Sequence, residues 1–524
     1  MLNIELNQYF YSLHLFIMKI KFIILLINIS FILTSQNPKN TESPVYYANF
    51  INSDDIRSML YEYSSDKFMG REAGTKGQKL AVDYLKKIYR FLKIGSAKKN
   101  GDYFQYVPLI SENSRFAEIV IDNGSYKHFN HFITKSAING SKSITADSYA
   151  YVGYGIKDSN YNDYSNIDVK NKIVVAISGE PVDKKGKYLI TKSKKKSIWS
   201  SSEEEHELKL NLAINNGAAS FILIDDDYFR RYSNYYQRME SKGESNVILN
   251  VPQKQFLNII AGNKIAKELK KTNNGIYNKK IKLSYSNTSE PFESENVVAM
   301  IKGNEFPNEY VVISAHLDHI GAHDGEIFNG ADDDGSGTIA ILEIAEAFKK
   351  AEIDGYGPKR SIVFLHVTAE EKGLLGSKYY TDFDPILPLE NTVANLNIDM
   401  IGRTDPNRNY GKRNYIYLIG SDKLSTELHE ISELVNRKYT NLELDYTYND
   451  ENDPNRFYYR SDHYNFVKNN IPVIFYFNGT HEDYHRATDT ADKIEYDLLE
   501  NRARLIFYTA WELANRNDKI SLDK

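Results

Sequence analysis

Four uninterrupted apolar runs stand out in the second half of the chain: YVVISAH (310–316), SIVFLHV (361–367), TVANLNID (392–399) and IPVIFYF (471–477). A strand with one wet face alternates apolar and polar residues. Unbroken runs of this length suit strands covered on both faces by helices. Between them apolar residues recur at helical spacing, from Thr338 to Lys350 and from Leu424 to Lys438. Strand and helix in alternation predict an α/β domain around a largely parallel or mixed sheet, beginning near residue 291.

The first half reads differently. Residues 36–49 are polar and predicted to be extended, and a helical pattern begins at Ile51. In the stretch 65–95, Gly70, Gly74 and Gly77 interrupt the chain early. Ala81, Tyr84, Leu85, Ile88, Tyr89 and Leu92 then fall on one helical face, and YFQYVPLI (103–110) reads as a strand. From about 130 to 290 the pattern changes to short strand-like runs with little helix, such as SYAYVGYGI (148–156), KIVVAISGEP (172–181) and ASFILIDD (219–226). A helical pattern returns there only between Glu203 and Asn216, and the lysine-rich stretch between Asp183 and Lys196 reads as a solvated surface loop.

With 524 residues the chain has room for more than one domain, and its net charge of −5 gives no basis for nucleic-acid binding. It contains no Cys, which excludes disulfides and thiolate metal sites and leaves His, Asp and Glu as the only metal donors. Met18-Lys19-Ile20-Lys21, the apolar run Phe22 to Thr34 and Ser35-Gln36 have the layout of a signal peptide over 18–35. The run is shorter than the ~20 residues a membrane span needs. Residues 1–17 lie ahead of this pattern and carry no Lys or Arg, so translation is expected to begin at Met18. The expectation is an exported protein, periplasmic or secreted, without a stable membrane span once the signal is cleaved.

Chemistry-bearing residues gather at the ends of the apolar runs. His316 ends one run and Asp318 follows on the same side, two residues on. His316 suits a metal, and the Asp318 carboxylate could hold its other ring nitrogen. NGADDDGSG (329–337) places Asp332, Asp333 and Asp334 in a glycine-rich turn before a helix. These residues could simply complement the helix dipole, or one could reach a metal; Asp333 is the choice and Asp332 the alternative. In HVTAEEKG (366–373) a buried strand runs into Glu370 and Glu371, so one carboxylate can ligate while its neighbour takes a proton from water. Asp399 ends a further strand, where an unpaired carboxylate would be costly to bury, and His485 sits in a loop before the last helix with Tyr484 beside it. His316, Asp333, Glu371, Asp399 and His485 form a donor set suited to two zinc ions that share one carboxylate.

The segments AHLDHIG, NGADDDGSGT, TAEEKGLLGS, NIDMIG, YRSDHYNF (459–466) and YHRATDT, in this order, resemble the co-catalytic di-zinc aminopeptidases, relatives of bacterial leucyl aminopeptidases and glutamate carboxypeptidase. SDKFMGREAGTKGQ near the start is similar to that family's N-terminal catalytic segment. The resemblance implies a three-layer αβα zinc-peptidase domain with a mixed, mostly parallel sheet. It implies that His316 and Asp399 ligate one Zn2+, Glu371 and His485 the other, and that Asp333 bridges. Glu370 would be general base and then acid, Asp318 would orient a ligand, and Tyr484 would polarise the scissile carbonyl; Arg460 falls in a segment that lines the substrate end. The stretch 131–290 resembles a protease-associated domain inserted between 36–130 and 291–515, with 516–524 as a tail. The expected activity is removal of N-terminal residues from peptides. A carboxypeptidase of the glutamate type, a metal-free receptor-like binding protein and a glutaminyl-cyclase-like transferase are the alternatives.

Overall fold

A computed structural model describes residues 43–524 except 137, 139, 202–204 and 242–245. The expected signal peptide, the 17 residues ahead of it and residues 36–42 lie outside the described residues. Among those described, no helix is long and apolar enough to cross a membrane.

The four apolar runs are strands: Phe306–His316, Arg360–Val367, Thr392–Ile398 and Val473–Phe477. Their spatial order is 473–477, 392–398, 306–316, 360–367, and every neighbouring pair among them is parallel. Tyr415–Ile419 adds antiparallel to the outer side of Val473–Phe477, so the sheet is mixed and mostly parallel, as expected.

Their continuous hydrophobicity follows from burial on two sides. Val311, Ile313 and Ala315 join Ile362 and Phe364 in one core, whereas Tyr310, Val312, Val363 and Leu365 belong to another. Alternate residues of one strand point to opposite faces, so each strand feeds both cores. The first core also contains residues of the helices Ser53–Tyr63, Lys76–Phe91, Gly337–Ile353 and Tyr496–Asn515. The second takes Tyr380 and Phe466 from the helices Leu375–Asp382 and His463–Val467. The outcome is three layers, αβα.

Two local expectations need correction. Residues 44–48 form a short helix in place of an extended segment, started by Ser43, whose side chain accepts from the Val45 amide. The region 131–290 also holds more helix than its pattern suggests, because Asp226–Ser241 is a 16-residue helix. Its inner stripe is carried by Tyr228, Tyr232 and Tyr236, whose rings contact one another at helical spacing.

Within that region Ile173–Ile177, Ser220–Ile224 and Asn258–Ala261 run parallel to one another beside Gly140–Tyr151. The join to the rest of the molecule is one long strand, Gly275–Ile301. It pairs with Gly140–Tyr151 at its start, with Phe104–Ile121 over most of its length and with Arg360–Val367 at its end. Residue 290, the expected border, lies inside this strand.

Candidate metal centre

The strand ends bring the expected donors to one place. His316 is the last residue of its strand, and its Nε2 lies 3.1 Å from Asp333 Oδ1 and 3.7 Å from Asp399 Oδ1. Its Nδ1 is 3.0 Å from the backbone carbonyl of Asp318. A carbonyl only accepts, so Nδ1 carries the hydrogen and Nε2 keeps its lone pair for an ion. The tautomer is therefore set by the main chain of Asp318 and not, as the sequence suggested, by its carboxylate. That carboxylate instead accepts the amide of Glu370 at 3.2 Å, and so fixes the turn that carries both glutamates.

The three aspartates of the turn separate by their partners. Asp332 accepts the Gly402 amide at 2.6 Å and faces His481 Nε2 at 3.1 Å. Asp334 accepts the amides of His316, Gly337 and Met400. Asp333 alone of the three faces His316 with one oxygen and His485 Nε2 with the other, both at 3.1 Å. Its own amide, with that of Asp332, donates to Asp489.

On the far side of Asp333, His485 Nε2 lies 3.2 Å from Glu371 Oε2. Asp399 follows its strand directly and is held by the Ser461 hydroxyl, which donates to Oδ2. A row of buried polar side chains supports that serine: Asn397 donates to Ser461, Ser314 to Asn397, and Asn395 to Ser314.

The arrangement calls for cations. Asp333, Glu370, Glu371 and Asp399 converge, and His316 Nε2, Asp333 Oδ2 and Glu371 Oε1 are buried without a hydrogen-bond partner. Such atoms are expensive to leave unpaired. Burial pulls the His485 imidazole down, yet contact with Asp333 and Glu371 overcomes this and lifts it to about 10. Glu370 is pushed well above the usual carboxylate range by burial, with Glu371 and Asp399 adding to the effect and His316 opposing it. The donor set of nitrogens and oxygens fits zinc.

A cleft opens beside these groups. Met400, Phe457, Phe475 and Phe477 form its apolar wall, and Arg460 and Tyr484 form its polar edge. Tyr484 stacks on His485 with ring centroids 3.9 Å apart, and Arg460 Nη2 donates to its hydroxyl at 3.4 Å. Burial, followed by the charges of Asp333, Glu371 and Glu370, pushes the Tyr484 phenol far up, so it stays protonated and able to donate.

All eight site residues expected from the sequence (His316, Asp318, Asp333, Glu370, Glu371, Asp399, Tyr484 and His485) lie in or directly against this cluster. Sequence reasoning passed over Ser461, Asp489 and His319. The first two act through a hydroxyl and through backbone amides, which no donor spacing reveals. His319 stood in the open, the second histidine of AHLDHIG.

Residues 296–510 match the model of peptidase family M28. A probable leucine aminopeptidase 2 of Aspergillus oryzae is 33% identical over 191 residues, 35% of this chain and 33% of its own length. A probable glutamate carboxypeptidase of Arabidopsis thaliana is 34% identical over 119 residues, 23% of this chain and 16% of its own. Aminopeptidase YwaD of Bacillus subtilis is 26% identical over 233 residues, 43% and 46% of the two chains. The chain thus spans less than half the length of these three relatives. Among solved structures, the aminopeptidase from Aneurinibacillus sp. strain AM-1 is similar over 92% of this chain and 98% of its own, at 17% identity and a TM-score of 0.46.

Proposed function

We propose that the chain is an exported zinc aminopeptidase with two ions in its site. The observation that carries this reading is Asp333, whose two oxygens face two separate donor groups, His316 with Asp399 and His485 with Glu371. The match of residues 296–510 to peptidase family M28 and relatives named as aminopeptidases support it. The region 131–290 would be the inserted protease-associated domain, and 18–35 the signal that directs export.

His316 and Asp399 would hold one ion and Glu371 and His485 the other, with Asp333 shared. When bound, two zinc ions supply positive charge that makes water acidic near neutral pH and polarises a carbonyl. Everything else falls to the chain. Glu370 borders the cleft and takes the proton of the attacking water, then returns it to the leaving amine. Its environment favours the protonated form, which suits the second half of that exchange. Tyr484 donates its hydroxyl to the carbonyl oxygen as charge builds there. Met400, Phe457, Phe475 and Phe477 would receive an apolar side chain of the first residue, and the surplus carboxylates would attract its free amine.

The test is a panel of aminoacyl-nitroanilides, with and without a blocked amine, with the zinc-loaded chain. Cleavage that requires the free amine supports the reading. Arg460 at the cleft edge favours one rival, a carboxypeptidase that pairs this cation with the substrate's terminal carboxylate. Cleavage of N-blocked peptides that is lost on C-terminal amidation would replace the first reading with that one.

A further inference from the structure

His319 is fully buried three residues beyond His316, and neither of its ring nitrogens has a hydrogen-bond partner. Its Nδ1 lies 2.9 Å from Glu371 Oε1 and 3.8 Å from Asp333 Oδ2. At 2.9 Å a nitrogen and an oxygen ordinarily share a hydrogen, yet these two are not aligned for it, and Glu371 Oε1 also lacks a partner. Two unpaired donors this close, not bonded to each other, are placed as two ligands of one ion are. Bonds of ~2.0 Å at tetrahedral angles put ligand atoms ~3.3 Å apart. The contacts of His485 Nε2 with Asp333 and Glu371, 3.1 and 3.2 Å, have the same form.

The fold makes room for this ring. Gly330 has φ +53°, and a Cβ there would stand 2.5 Å from His319 Cγ. Any side chain at 330 would displace the imidazole from the cluster. The other flank is His485, packed edge to face at 5.9 Å.

We propose that His319 is a further protein ligand, through Nδ1, of the ion held by Glu371 and His485; this rests on the two-zinc reading above. The two positions then differ in kind. One has four protein ligands, Asp333, Glu371, His485 and His319, and is closed. The other has three, His316, Asp399 and Asp333, and keeps a coordination position open for water beside Glu370. A zinc site with four protein ligands is typical of structural ions, and one with three of catalytic ions. The closed position fills first and empties last.

The experiment uses the full chain stripped of metal and titrated with zinc against a competing chelator, and with Co2+ followed by visible absorption. The wild type binds two equivalents, one tighter than the other. In His319→Ala the tighter equivalent weakens by more than ~100-fold, beyond the ~10–100-fold that loss of an outer partner costs. In His319→Cys tight binding returns, and the Co2+ form gains a thiolate charge-transfer band; the chain has no other cysteine to produce one. That band separates a ligand from a residue that merely orients Glu371. Its absence in His319→Cys, whatever His319→Ala does, overturns the inference alone. A wild-type chain that takes up no zinc overturns the function proposed above and this inference with it.

Discussion

Ser461 donates its hydroxyl to Asp399 Oδ2 at 2.6 Å, so Oδ1 is the oxygen of that carboxylate left facing His316, 3.7 Å away. The serine removes the choice between two equivalent oxygens and holds the plane of the carboxylate. Ser461→Ala is expected to weaken zinc at the His316–Asp399 position by ~10–100-fold and to leave the other equivalent unchanged. Metal titration of the variant measures both.

In the proposed mechanism Glu370 moves protons and is not a metal donor. Glu370→Gln keeps the shape of the side chain and removes its basicity. The variant should retain both zinc equivalents while kcat falls by ~10²–10⁴-fold. Near-normal turnover with full metal content would show that another group moves the proton.

The Tyr484 hydroxyl faces the cleft as a protonated donor, backed by Arg460. Tyr484→Phe keeps the stacking on His485 and deletes the donor. A donor used only as charge develops affects kcat far more than KM, and ~10²-fold in kcat is the expected size. An equal rise in KM would mean that the hydroxyl binds the ground state instead.

Chelation should abolish hydrolysis, and zinc should restore it in two stages that follow the inequality of the sites. Activity measured against zinc per chain is expected to stay low through the first equivalent and to rise with the second, because the open position fills last. A rise proportional to the first equivalent would contradict that order.

Away from the site, Glu343 lies buried on the helix Gly337–Ile353. Burial lifts its carboxyl from about 4.5 to about 8; the Asn52 amide opposes this, and Glu346, Asp55 and Glu500 add to it. Between those two values the folded chain holds a proton that the unfolded chain has released, so stability falls as pH rises through that window. Glu343→Gln can still accept the Asn52 amide. It should melt higher than wild type at pH 8 by an amount on the order of a few kcal/mol, with the gap closing near pH 4. Melting curves across pH test this.

The sheet was legible because its strands are covered on both faces, and that leaves runs such as IVFL (362–365) with no polar interruption. The donors were legible through their order: each alone has a bland reading, but imidazoles and carboxylates recur at the ends of successive runs. The helix Asp226–Ser241 escaped notice because tyrosines, polar by hydroxyl and apolar by ring, carry its inner stripe. The strand Gly275–Ile301 alternates buried and exposed residues along much of its length and includes Lys, Glu and Asn, so it does not resemble the runs it joins. Asp318 meets His316 through its main-chain carbonyl where the spacing suggested its carboxylate, since spacing cannot tell a side-chain oxygen from a main-chain one.

That long strand has a thermodynamic consequence. It lies inside one continuous sheet, paired with Gly140–Tyr151 at its start and Arg360–Val367 at its end, so neither region can come away without stripping partners from its neighbour. The region 131–290 and the region 291–515 are therefore expected to unfold as one cooperative unit. Heating should produce a single calorimetric transition whose enthalpy suits the whole chain, and brief proteolysis should release no folded fragment that ends near residue 290. What reads along the sequence as an inserted module should then unfold together with the sheet that holds it.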